Sequence, residues 1–331
     1  MKNYDVTALG ELLVDFTMNG MSAQQNQLFE ANPGGAPCNV LAMLQKLGRK
    51  TAFIGKVGND SFGKMLKETV SGLGINTDNL LMDGKEEHDS QYGVNRLHEV
   101  VEKAAEYQIC IDEHEPCIPT GLCRTWPNLM TGEAIRGQEH DAWERDGGNK
   151  PEHQTVCPFI RGLAGPMDYT FGTFDFSNPV SPFSRVKTTI AKQLAQYVVI
   201  YSPLQMASDD PSAYEGVKAF DFIRDVPTDW EQTKVLDAVI GDYIVTARQE
   251  RGGSDWFLGA ITDENARTLE VPLDFLGKGL WTAQIYSDAA DASWEDNPTA
   301  VAYSEAEVSS KTVLRLQLAT SGGCAIRFIK K

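Results

Sequence analysis

Residues 109–128 read Ile-Cys-Ile-Asp-Glu-His-Glu-Pro-Cys-Ile-Pro-Thr-Gly-Leu-Cys-Arg-Thr-Trp-Pro-Asn. The apolar run at 109–111 predicts a short strand, and it opens into Asp112, Glu113, His114, Glu115 and Pro116. A strand whose C-terminal end releases carboxylates and an imidazole into a loop is how a (β/α)8 barrel builds a site. A solvated polar turn has the same composition, and composition alone favours it. Just upstream, Val94, Leu97, Val101 and Ala105 recur at helical spacing and predict an amphipathic helix over residues 91–107. Downstream, the chain around 163–169, a helix over 186–196 and an apolar strand over 197–201 read as later barrel elements.

Toward the N-terminus the pattern is also βα. Residues 5–10 are strand-like and 12–16 continue the run. Gly34-Gly35 then breaks the chain before an apolar-periodic helix over 38–47 that Gly48 ends. A strand over 51–57 and a helix over 61–73, stopped by Gly74, complete a strand-helix-strand-helix order that implies parallel pairing. Residues 83–90 are polar and linker-like. From 225 onward short alternating segments recur at 243–248, 256–262, 268–271, 281–286, 313–318 and 325–329, punctuated by glycines. That is an antiparallel β-sandwich pattern, with Trp256, Phe257, Trp281 and Phe328 expected in its core. The expected fold class is therefore α/β plus β in three parts: a βα segment at 1–84, a partial (β/α)8 barrel at 85–224 and a C-terminal antiparallel β-sandwich at 225–331.

At 331 residues the chain is long enough for two ordinary cores. A formal charge of −16 argues against nucleic acid, because phosphate binding needs clustered Lys and Arg. Neutral sugars and divalent cations are the compatible ligands. Gly10, Glu11 and Asp15 interrupt the only early apolar run, so no signal peptide is read and a cytoplasmic location is expected. No stretch approaches a membrane span. Six cysteines without a CxxC pair predict reduced, mostly buried thiols rather than a disulfide framework or a zinc site. Residues 58–64 nearly fit a phosphate-binding loop, but Met65 stands where a Ser or Thr would hold magnesium.

Two resemblances sharpen this reading. Gly10-Glu11 followed by Asp15, then Gly34-Gly35-Ala36-Pro37-Cys38-Asn39-Val40, then Ile54-Gly55-Lys56-Val57-Gly58-Asn59-Asp60 with Phe62-Gly63, resemble successive blocks of a bacterial fructokinase of the ribokinase-like family. This covers about residues 3–83. It implies that Asp15 and Asn39 hydrogen-bond sugar hydroxyls, while Gly34 and Gly35 let a sugar approach the backbone. Capping or turning the chain is the structural alternative for Asp15 and Asn39.

His114-Glu115-Pro116, the run 119–128, Arg136-Gly137-Gln138-Glu139 and the run 163–170 resemble consecutive blocks of glycoside hydrolase family 97, from about residue 90 to the C-terminus. That resemblance implies a calcium-dependent α-glycosidase, and the inverting α-glucosidase branch in particular, because His114-Glu115 stand at the strand end. It further implies that Glu115 binds Ca²⁺ and acts as general base, that Glu133 is a second calcium ligand, that Glu139 is the general acid and that His114 contacts substrate. Surface solvation is the structural alternative for the three glutamates.

Each resemblance is partial. The kinase family's late Gly-Ala-Gly-Asp motif, which supplies base and anion hole, is not found downstream, so an ATP-dependent sugar kinase is disfavoured. The hydrolase family's N-terminal β-sandwich and early barrel half should precede residue 90, where the truncated kinase segment stands instead. A chimeric glycoside hydrolase homologue with an incomplete calcium site is the expected reading, and a non-catalytic carbohydrate-binding remnant is the alternative. The partner expected is a small carbohydrate, with neither nucleic acid nor membrane; these patterns fix no oligomeric state.

Overall fold

The structure, a computed structural model, describes residues 4–22, 27–83, 91–117, 119–179 and 181–331. It divides into two compact units, Met1–Ala134 and Ile135–Lys331. The polar linker expected at 83–90 lies, but for its first residue, outside the described residues.

In the first unit, β1 (Val6–Gly10), β4 (Thr51–Gly58) and β5 (Asn76–Asp83) form a parallel sheet with β4 in the middle. Helices α1 (Ala36–Lys46) and α2 (Ser61–Gly72) connect its strands. Leu12, Cys38, Leu41, Phe53, Val57, Leu66, Val70, Ile75 and Leu80 form its core. Pro37 starts α1, where its missing N–H costs nothing, and Gly48 follows it at φ 77, as the sequence predicts. The phosphate-loop look-alike is only a helix start: Asp60 caps α2 by accepting from the Gly63 N–H at 2.8 Å.

One early element differs from expectation. Residues 12–16 do not prolong β1: Leu12 packs into the core outside any strand, and 13–16 open β2 (Leu13–Met21), which forms a hairpin with β3 (Gln27–Gly34). β2 is largely exposed, with Phe16 and Met18 each 55% accessible, so its apolar pattern marks no buried strand. The helix over 91–107 appears as α3 (Gln91–Glu106). It leads to β6 (Ile111–Glu113), which, after the single turn α4 (Leu122–Thr125), pairs in parallel with β7 (Leu129–Gly132). β1 packs beside β6.

The second unit is dominated by a six-stranded antiparallel sheet in the order β13 (Val301–Val308), β12 (Trp281–Asp288), β15 (Gly323–Lys330), β10 (Trp256–Thr262), β9 (Tyr243–Glu250), β8 (Trp230–Val239). A two-stranded sheet, β11 (Arg267–Pro272) with β14 (Val313–Leu318), shares a core with it that holds Trp256, Trp281 and Phe328. The neighbouring Phe257 points to the opposite face, as strand alternation requires, and joins a second core with helix residues Ile190, Leu194, Ala195 and Val198.

That helix corrects the sequence reading. The segment 197–201 is not a strand: after the one-turn helix α5 (His153–Val156), α6 (Ile190–Val199) takes its first three residues, and Ile200 and Tyr201 leave the helix without forming a strand. All ten residues of α6 are buried, so the apolar run reflects burial on every side, which periodicity cannot tell from a core strand. Residues 161–164 form a 3₁₀ turn and 166–170 carry no strand, so the barrel element expected there is absent among the described residues. No closed barrel is formed among them; the 85–224 segment contributes only the β6 and β7 pair to a parallel sheet. Cys38, Cys157 and Cys324 are buried but Cys110, Cys117 and Cys123 are not, which corrects the expectation of mostly buried thiols; all are free.

Candidate functional site

Two glutamates and a histidine follow the paired parallel strands β6 and β7 of the first unit. Glu133 comes directly after β7 and is 4% exposed. His114 and Glu115 come directly after β6. The Glu133 N–H donates to the Glu113 carbonyl at 2.8 Å, which extends the β6 and β7 ladder to the point where both chains open. There the Glu115 N–H donates to Glu133 Oε2 at 3.3 Å, and His114 Nδ1 lies 3.8 Å from the same oxygen. The sequence-predicted Glu115, Glu133 and His114 are thus brought together. Glu115 (φ 46) and Ala134 (φ 41) hold left-handed backbone on either side of this meeting point, a conformation that side chains disfavour and that collects at functional sites.

Glu11, immediately beyond β1, was not singled out as a site residue from sequence. Burial raises its carboxyl above the usual carboxylate range, and the nearby Glu115 carboxylate adds to that, while His114 opposes it. Its Oε1 accepts the Ala36 N–H at 2.9 Å, at the start of α1. The available signal was positional: like Glu133, it is the first residue past a strand. Burial likewise raises Glu113.

Of the proposed sugar-contacting residues of the βα front, Asp15, Gly34 and Gly35 lie together. Asp15 sits on β2 with one carboxylate oxygen so close to Gly34 that a Cβ there would lie 2.0 Å from it. Gly35 precedes α1 at φ 115, and a Cβ on it would lie 2.7 Å from the Glu11 carbonyl. Only glycine satisfies both demands at that position. Asn39 is exposed on α1, with its N–H donated to the Gly35 carbonyl at 3.1 Å.

Glu139 belongs to the second unit, on the 3₁₀ turn Gln138–Ala142. A buried network fixes that turn. Gln138 and Gln193 exchange amide hydrogen bonds of 3.2 and 2.7 Å, and Gln193 Oε1 also accepts from the Gly172 and Thr173 N–H groups at 2.6 and 3.1 Å. Asp141, 1% exposed, accepts the Asn149 N–H, and Asn149 Nδ2 donates to the Gly137 carbonyl at 2.9 Å. Burial pushes the Asp141 carboxyl up to about 7, against the pull of that N–H, Lys187 and Arg136.

Comparisons with known proteins divide along the same chain. Residues 3–111 match the profile of the pfkB family of carbohydrate kinases, and residues 229–329 match that of the glycosyl-hydrolase 97 C-terminal domain, described as an oligomerisation domain. A retaining alpha-galactosidase of Bacteroides thetaiotaomicron is 37% identical over 206 residues, 59% of this chain and 30% of its own length. A probable fructokinase-5 of Arabidopsis thaliana is 41% identical over 80 residues, 24% of this chain and 25% of its own. Among solved structures, a glycoside hydrolase family 97 enzyme from a Pseudoalteromonas species, in complex with panose, aligns at 39% identity and TM-score 0.72 over 92% of this chain and 51% of that one. The same enzyme in complex with acarbose aligns at 40% identity with the same coverage. The chain therefore spans about a third of the first curated relative and about half of the solved enzyme. It is similar to pfkB family carbohydrate kinases over its first third and to glycoside hydrolase family 97 proteins over most of the remainder.

Proposed function

We propose that this chain is a family 97-type α-glycoside hydrolase homologue with an incomplete site, fused to a fructokinase-like fragment. The observation that carries this reading is the junction of Glu115 N–H, Glu133 carboxylate and His114 at the open ends of two adjacent parallel strands. Calcium fits the donor chemistry, since Glu115 and Glu133 offer hard carboxylate oxygens from neighbouring strand ends. When bound, the ion supplies Lewis-acid charge that favours a deprotonated water and a polarised sugar oxygen. Glu115 is the base that takes the water's proton, Glu139 the acid that protonates the departing glycosidic oxygen, and His114 a hydrogen-bonding contact to a sugar hydroxyl. The inverting assignment rests on His114-Glu115 at the strand end; a first-formed product of retained anomeric configuration, seen by NMR, would replace it.

The purified chain is expected to hydrolyse p-nitrophenyl α-glucoside little or not at all, because the further carboxylate and calcium ligand that the family resemblance implies are not found in these 331 residues. Any residual turnover should fall more in Glu115→Gln than in Glu139→Gln, since this activated leaving group needs little protonation. Robust calcium-dependent hydrolysis that vanishes in Glu115→Gln would show a working enzyme. Calcium itself is expected to bind weakly, because two carboxylates fall short of the usual set of about six to eight oxygens. Calorimetry should show Glu133→Gln weakening it further, and identical titrations of the two proteins would remove the metal assignment.

The second reading, a non-catalytic carbohydrate-binding remnant, draws on the chain's spanning about half of the solved enzyme it matches. Kinase chemistry is a third and the least supported. Incubation with ATP and fructose is expected to yield no fructose phosphate above a blank, as no late base or anion hole is found. Turnover abolished by Asp15→Ala would overturn this.

A further inference from the structure

The family resemblance changes across residues 83–90, but the packing does not divide there: the first compact unit runs on to Ala134. That unit holds the kinase-like front together with β6, β7 and the residues just past them, Glu115 and Glu133. The two resemblances also overlap. The kinase profile extends to residue 111, whereas the hydrolase blocks begin near residue 90, so α3 lies within both. Residues 90–331 are under three quarters of the chain, yet the alignment with the solved family 97 enzyme takes in 92% of it. A large part of the front therefore superposes on the hydrolase although its sequence follows the kinases.

β6 and β7 need such a neighbour. They are three and four residues long, and a two-stranded sheet of that size is marginal by itself. Parallel strands are stable when both faces are covered, and Ile111 on β6 and Thr131 on β7 are only 4% and 3% exposed. β1 packs beside β6, and its own sheet continues through β4 to β5. The end of β1 is fixed in turn by the front's glycine turn. Glu11 Oε1 accepts the Ala36 N–H at 2.9 Å, and a Cβ on Gly35 would lie 2.7 Å from the Glu11 carbonyl oxygen, so the turn holds residue 11 by side chain and backbone. Held there, the Glu11 carboxyl stands within electrostatic reach of both Glu115 and His114.

We propose that the kinase-like front serves as the brace of the Glu115 and Glu133 site: β1 is the strand neighbour that keeps β6 and β7 folded, and Glu11 is the front's side chain beside Glu115. The front then contributes through folding rather than phosphoryl transfer. In this role Gly35 and Ala36 order Glu11, and the strands β1, β4 and β5 supply the packed sheet against which two very short strands can rest. The brace is needed whether or not the site cleaves a glycoside. Its consequence is that a cavity opened deep in the front, far along the chain from residue 115, loosens the site as much as it loosens the front.

Native-state hydrogen exchange of the full chain tests this. Leu41 on α1 is fully buried in the front's core. Leu41→Ala is expected to speed exchange of the β4 amides by about 25-fold or more, and to speed the Ile111 and Glu133 amides, which donate to the Asn128 and Glu113 carbonyls, by the same factor. Amides of β10 in the second unit should keep their wild-type rates. Val70→Ala, a smaller truncation in the same core, makes the same comparison should Leu41→Ala fail to fold. Faster β4 amides beside unchanged Ile111 and Glu133 amides would show that β6 and β7 stand without the front, and would overturn the brace. Equal acceleration of β10 would overturn it too, since the whole chain would then melt together. Glu11→Gln keeps an acceptor for the Ala36 N–H and should move the His114 ring signals in NMR spectra, whereas Glu30→Gln on the exposed part of β3 should not. His114 signals that ignore Glu11→Gln would remove Glu11 from the site and overturn its part in the brace.

Discussion

Lys192→Met is expected to lower the unfolding midpoint of the second unit by about 10 °C. Lys192 lies on α6 and is fully buried. Its Nζ lies 3.0 Å from the Pro151 carbonyl oxygen, 2.8 Å from that of Thr262 and 3.0 Å from Ser321 Oγ, so the charged form has one hydrogen for each acceptor and the neutral amine can donate to two of them. Methionine fills a similar volume but removes the donor to the two carbonyls, while Ser321 Oγ keeps its own bond to the Lys187 carbonyl. At roughly 1–3 kcal/mol for each buried unsatisfied group the cost is about 2–6 kcal/mol. For a unit of this size each kcal/mol shifts the midpoint by about 2–4 °C. A change under about 2 °C would show that water or a neighbour replaces the ammonium.

The same residue gives the effect a pH signature. Burial lowers the Lys192 pKa to about 7, against the pull of Asp263 and Asp288. Between that value and the ordinary lysine range the unfolded chain binds the proton that the folded chain has released, so stability rises with pH across this window. The contribution is complete above the unfolded pKa and is lost as pH falls through about 7. The gap between wild type and Lys192→Met should therefore widen from pH 7 toward pH 10.

Lys192 also marks where the sequence stops being legible. The run Ala191-Lys192-Gln193-Leu194 falls in the helix read over 186–196, yet nothing in it announces that all four residues are buried. What covers the lysine lies 70 and 129 residues further along the chain, at Thr262 and Ser321, and no local pattern announces partners so distant. The sandwich strands with buried residues were readable: β10 and β14 appear at the predicted residues. The two missed strands, β8 and β13, are the edges of the six-stranded sheet, and both are largely exposed, which removes the alternation that marks a strand.

The candidate site divides in the same way. Acidic and imidazole groups past the strand at 109–111 were visible as a pattern, and the family resemblance assigned their roles. That Glu115 meets Glu133 follows only from the parallel pairing of β6 with β7. Glu11 could not be placed with them, because nothing in a kinase-like strand indicates that β1 will pack beside β6. Each family's motif carries the geometry of its own fold, and the meeting of Glu11 with Glu115 belongs to neither motif.

Gly259→Ala is expected to destabilise the second unit by about 2 kcal/mol or more, although it adds one methyl group to a strand. Gly259 sits in β10 at the centre of the six-stranded sheet, paired with Thr246 on one side and Ala325 on the other. A Cβ there would lie 2.4 Å from the Ala195 carbonyl oxygen and 3.0 Å from the Val198 Cβ, both on α6. The helix backbone rests directly on the strand at this point. Gly323 on β15 provides a second such seat, where a Cβ would come within 2.6 Å of the Lys192 Cα. Relief requires α6 to lift from the sheet, and α6 cannot lift freely because its C-terminal end is pinned. Arg248 Nε donates to the Val198 carbonyl at 2.5 Å, and a second guanidinium nitrogen bonds Thr233 Oγ1 at 2.9 Å. The strain therefore spreads into contacts that hold both cores. The same substitution at Gly72, at the end of α2, meets nothing within 4 Å and should stabilise slightly, as alanine does in helices. Thermal unfolding of the two variants beside wild type measures the contrast: a Gly259→Ala midpoint equal to that of wild type would mean that α6 shifts without cost and that the glycine is not what seats it.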